Sequence, residues 1–189
     1  MMPFTLHLLR HGEPELPGRL MGRTDCPSTA SGIQACVDRA ELLDIDAIFT
    51  SNLGRAQAAA EAIGRRKGIT PAIDPLWREI DFGAWDGLAS DEIDQDELAQ
   101  FWADPDANPP PGGEPWSLLV ARIARALSAL PPKDTLIVTH GGAMRAALSY
   151  LCDIDERSTW ALSLPYAALL TFKVWPGERR LAQVTGLRS

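Results

Sequence analysis

The chain has 189 residues, of which 46% are hydrophobic and 23% charged, enough for one compact globular domain over residues 1–189 with a core of its own. A net charge of −7 excludes a basic surface for nucleic acid, so any anionic ligand must meet a local cluster of cations. Three cysteines without ligand spacing point away from a disulfide framework or thiolate metal site, and no apolar run is long enough for a bilayer span or signal peptide, which makes the cytoplasm the expected location.

The first apolar run, Phe4–Leu9, reads as a strand and ends abruptly in Arg10-His11-Gly12-Glu13. His7 lies inside this run and reads as structural. A helix follows over Ala30–Leu43, where Ile33, Cys36, Val37, Ala40 and Leu43 recur at helical spacing. Ala47–Ser51 is a second strand and Leu53–Lys67 a second helix, with Ser51 or Asn52 as its cap and Gly68 as its stop. Arg55 falls in the first turn of that helix, where a cation opposes the macrodipole by about 0.3–1 kcal/mol. A bound anion would remove that conflict; a solvated arginine is the alternative.

Farther on, Glu79 sits in Trp77-Arg78-Glu79-Ile80-Asp81-Phe82-Gly83-Ala84-Trp85-Asp86-Gly87. A carboxyl group desolvated by such neighbours retains a proton more readily, which suits a proton donor. Asp81 and Asp86 compete for the role. Asp91, Glu92, Asp94, Asp96 and Glu97 read as a capped helix start. The Pro/Gly-rich segment Asp104–Pro115 reads as a surface loop, part of a lid. Pro115–Leu130 is a helix, and Thr135–Thr139 a strand that ends in His140-Gly141-Gly142. A helix over Ala143–Leu151 and a strand over Ala168–Trp175 complete the pattern, an α/β alternation.

In open α/β sheets ligands bind beyond the carboxyl ends of strands. Arg10, His11, Arg55 and His140 all fall there, beside helix starts with free N–H groups. Such a set suits a phosphoryl group: guanidinium forks grip it and an imidazole can attack phosphorus. No HExxH or HxH spacing favours a metal, and adjacent arginines would repel one.

Five ordered blocks resemble the histidine phosphatase (phosphoglycerate-mutase-like) superfamily. They are Arg10-His11-Gly12-Glu13, Ser51-Asn52-Leu53-Gly54-Arg55-Ala56, Glu79 to Gly87, Pro111-Gly112-Gly113-Glu114 and Val138-Thr139-His140-Gly141-Gly142. Gly18 to Asp25 is similar to the family's phosphate-contacting loop. The resemblance implies a three-layer α/β/α fold with a mostly parallel central sheet. It also implies a metal- and cofactor-independent phosphomonoester hydrolase acting on a small phosphorylated metabolite. By it His11 is the nucleophile, Glu79 the proton donor, and Arg10, Arg55, His140, Gly22 and Gly141 the phosphate pocket. The family's Thr and Asn after the first block are replaced by Pro14 and Pro17, so one phosphate contact is expected to be missing. The short chain and tight loop look similar to α-ribazole phosphatases; a phosphoglycerate-mutase reaction and a non-catalytic phospho-ligand module are the alternatives.

Overall fold

A computed structural model describes residues 2–177 and 180–189. Six strands form one sheet in the order β3-β2-β4-β1-β5-β6. β1 (Phe4–Arg10), β2 (Ala47–Thr50), β3 (Ala72–Ile73) and β4 (Thr135–Thr139) run parallel, whereas β5 (Leu169–Trp175) joins β1 antiparallel at one side and β6 (Leu181–Arg188) pairs antiparallel with β5.

Alternation along the strands divides the core into two layers. Leu6, Leu8 and Ile137 face one layer with α4 (Trp116–Ala129) and α5 (Gly141–Cys152). Leu9, Leu136 and Val138 face the other with α1 (Ala30–Ala40) and α2 (Gly54–Lys67). Each of these helices turns one apolar stripe to the sheet: Cys36, Val37 and Ala40 on α1, and Leu119, Ile123, Ala126 and Leu127 on α4. The result is the expected three-layer α/β/α arrangement.

Most boundaries fall within a few residues of expectation, and the differences have local causes. α1 stops at Ala40 rather than Leu43 because Lys67 Nζ captures the Glu41 and Leu43 carbonyls at 2.8 and 2.7 Å. α5 begins at Gly141, so both glycines are helical. The acidic run does start a helix: Asp94 caps α3 (Gln95–Ala103) by accepting the Asp96 and Glu97 N–H groups. Three elements lay outside the expected pattern, the two-residue strand β3, the half-exposed edge strand β6 and the four-residue α6 (Glu156–Thr159).

α2 differs more instructively. Neither Ser51 nor Asn52 caps it; the cap residue is Leu53, which has no side-chain acceptor. Asp25, from the loop before α1, instead accepts the Gly54 N–H and, at 3.4 Å, the Arg55 N–H. The carboxylate compensates the cation in the first turn.

Candidate active site

β1 and β4 are neighbours in parallel register, with Arg10 opposite Thr139. His11 and His140 therefore leave adjacent strand ends, while α1 and α5 depart to opposite layers, the topological switch at which α/β sheets open a crevice. The two imidazole centroids lie 5.1 Å apart. Arg10, His11, Arg55, Glu79 and Gly141 line a single cleft of about 210 Å³.

His11 is 5% exposed, and its Nδ1 lies 2.8 Å from Gly12 O. A carbonyl only accepts, so Nδ1 carries the proton and Nε2 the lone pair. Burial, followed by the charge of Arg55, pushes the imidazole pKa down to about 3. The ring is neutral at pH 7, as an attacking imidazole must be. His140 is fully buried and likewise held well below the ordinary histidine range by burial and Arg55.

The two arginines are fixed by carbonyls. Arg10 Nη1 donates to Leu164 O at 2.7 Å, and its guanidinium stacks 4.3 Å above the Tyr166 ring. Arg55 donates through Nη1 to Thr24 O and through Nη2 to Met21 O, at 2.9 and 2.7 Å, and pairs with Asp25 at 3.3 Å. Yet Arg10 Nε, Arg55 Nε and His140 Nδ1 are buried without an acceptor, three of only six such atoms among the described residues. Buried groups of this kind call for a partner that the protein itself does not supply.

Glu79 accepts the Ile80 N–H through Oε1 at 2.8 Å and the Gly142 N–H, in the first turn of α5, through Oε2 at 3.0 Å. A Cβ at residue 142 would collide with that carboxyl, which explains the second glycine. Neither competing aspartate lines the cleft. Asp81 pairs with Arg23 at 2.9 Å, and Asp86 accepts three N–H groups from Gly22, Arg23 and Thr24.

Neither Gly22 nor His140 lines the cleft: the Gly22 N–H is committed to Asp86 and its carbonyl supports Arg55 Nη2 at 3.2 Å, while the His140 ring is buried beside that of His11. Gly141 does line the cleft, packed beside the Arg10 guanidinium. Pro14 lines it too, and without an N–H offers no donor. His7 is structural, bonded to Thr171 Oγ1 at 3.0 Å. Pro105 and Trp116 bring the expected lid segment to the cleft's edge.

Several contributors carried no motif signal. Arg122 grips Glu114 with two 2.8 Å bonds and donates to the carbonyls of Leu76, Arg78 and Glu79, fixing the segment that presents Glu79. Tyr166 covers Arg10, and Ser51, which opens one of the five blocks but is expected only as a helix cap, meets His140. Among the described residues no group of three or more His, Cys, Asp or Glu side chains is placed to hold a metal ion, and no helix is long and apolar enough to cross a membrane.

Comparison with known proteins gives a consistent picture. A family model described as histidine phosphatase superfamily (branch 1) matches residues 6–185. A probable phosphoglycerate mutase GpmB of Cronobacter sakazakii is 33% identical over 174 residues, 84% of this chain and 80% of that protein. The solved structure of a mycobacterial glucosyl-3-phosphoglycerate phosphatase superposes with a TM-score of 0.85 at 25% identity, covering 97% of each chain. An α-ribazole phosphatase from Shigella flexneri shares the fold, with a TM-score of 0.83 at 24% identity over 98% of this chain and 96% of that one.

Proposed function

Since the chain belongs to the histidine phosphatase superfamily, branch 1, we propose that it hydrolyses a small phosphate monoester through a phosphohistidine at His11. The observation that carries this reading is the neutral, Nδ1-anchored His11 ring set among three buried donors without acceptors.

Arg10, Arg55, His140 and Gly141 hold the phosphoryl oxygens, and the fixed donors stabilise charge on them in the transition state. His11 Nε2 forms a bond to phosphorus as the ester P–O bond breaks. Glu79 passes a proton, brought in by the substrate's phosphate monoanion, to the departing alkoxide. The resulting carboxylate then takes a proton from water, whose oxygen attacks phosphorus. The P–N bond breaks and inorganic phosphate leaves. Gly22 acts only through Arg55. The scheme involves no metal and no cofactor.

The GpmB likeness favours a second outcome for the same intermediate, capture by another substrate oxygen instead of water. A product assay with 3-phosphoglycerate and a bisphosphoglycerate primer separates the two. We place the protein in the cytoplasm as one domain over residues 1–189, a reading that its free thiols at Cys26, Cys36 and Cys152 support.

The test is covalent. Brief incubation with a labelled ester leaves acid-labile phosphate on the protein, and His11→Ala abolishes both label and turnover. Persistent labelling of the variant moves the nucleophile elsewhere and overturns the assignment.

A further inference from the structure

The outer half of the cleft differs sharply from its phosphate end. Trp102, at the end of α3, and Trp160, just after α6, stand edge to face with centroids 5.5 Å apart, and both line the cleft. They remain 46% and 49% exposed. Phe101, 3% exposed, backs Trp102 at 4.8 Å and in turn meets Phe82 and Trp85. Two indoles braced by buried aromatics but left bare to the cleft form a surface awaiting an apolar partner.

At the inner end Arg10 makes no ion pair among the described residues and leaves Nε free. Elsewhere on the lining Arg19 pairs with Glu92 at 3.0 Å. Arg145 makes no ion pair among the described residues; it stacks 3.8 Å over the Trp160 ring and gives Nη1 to the Thr159 and Leu162 carbonyls, while Glu156 accepts the Trp160 indole N–H. The inner end thus offers free donors to an anion, and the paired indoles offer a flat apolar wall.

On the basis of the phosphomonoesterase reading, we propose that the natural ester carries a planar aromatic ring on its alcohol, held against Trp102 and Trp160 while the phosphate sits at His11. Compact esters fill only the inner half.

The test uses primary alkyl esters with similar leaving groups: 2-(naphthyl)ethyl, 2-(cyclohexyl)ethyl and butyl phosphate. The naphthyl ester is expected to show a kcat/KM roughly tenfold or more above the other two, the scale of one lost stacking contact. In Trp102→Ala and Trp160→Ala, both checked for native melting, that ratio collapses through a rise in KM for the naphthyl ester. Equal kcat/KM for all three overturns the ring subsite and leaves the phosphatase reading intact. A cyclohexyl ester as good as the naphthyl one also overturns it, by reducing the preference to bulk. If no ester turns over, the phosphatase reading fails. Quenching of indole fluorescence by naphthyl against butyl phosphate then decides the subsite alone: tighter naphthyl binding supports it, and equal binding overturns it.

Discussion

Ser51 Oγ lies 2.8 Å from His140 Nε2, and the same oxygen accepts the Leu53 N–H at 3.3 Å. The buried hydroxyl has no other acceptor among the described residues, so its proton is directed to Nε2. The neutral ring then carries its own proton on Nδ1, the nitrogen that no protein group engages. A serine one residue past the end of β2 thereby sets which face of His140 can donate to an oxyanion.

Ser51→Ala should lower kcat roughly tenfold, the cost of one misdirected donor, with little change in KM. Imidazole 15N spectra check the cause. His140 should hold a single Nδ1–H tautomer in the parent and a mixture in the variant. An unchanged tautomer with normal kcat would deny Ser51 the role.

Glu79→Gln keeps the shape and one of the two backbone N–H bonds, since its amide nitrogen cannot accept the other, and it cannot deliver a proton. Turnover of alkyl phosphates should fall by 10² to 10⁴, whereas esters with activated leaving groups should suffer far less in the phosphorylation step. Equal losses measured by single-turnover kinetics would argue against a proton donor.

Arg122 and Glu114 form an ion pair with both side chains nearly buried, 13% and 12% exposed. Arg122→Met should destabilise the fold by about 3–5 kcal/mol, since the carboxylate is left buried and alone. Adding Glu114→Gln should recover a good part of that loss. Urea unfolding of the single and double variants measures it, and additive losses would contradict the coupling.

All three histidines have pKa values lowered chiefly by burial, His11 to about 3 and His140 well below its usual range. An unfolded histidine titrates near 6.5, so between pH 6.5 and about 3 the unfolded chain binds more protons than the native one. Stability is therefore full above about pH 6.5 and falls as the solution is acidified, by up to about 1.4 kcal/mol per pH unit for each such group. His11→Gln should flatten the slope between pH 6.5 and 5 by about one proton, as read from urea midpoints. A slope identical to the parent's would place His11 in a charged state already.

Local pattern made three of the four parallel strands and the four long helices legible, because apolar spacing and turn residues are written within each segment; the two-residue β3 is too short to carry such a pattern. The chemical groups at the strand ends were legible for the same reason. What escaped notice depends on distant chain. The α2 cap comes from Asp25, and nothing around Leu53 announces it. The N–H of Gly22 is claimed by Asp86 across a different loop, so a glycine assigned to the ligand turned out to serve Arg55. Arg122 looks like any polar residue of an amphipathic helix until its bonds to the Glu79 segment are seen. Likewise, six tryptophans can be counted in the sequence, but only folding brings Trp102 beside Trp160.

The indole wall is borne by α3 and the turn after α6, neither of which belongs to the sheet, whereas the reacting groups hang from β1, β4 and the segments tied to them. Recognition of the alcohol and reaction at phosphorus are thus mounted on separate carpentry. Descendants of this gene can redecorate one without disturbing the other, and kin with near-superposable frames can diverge in diet while sharing a single chemical trick.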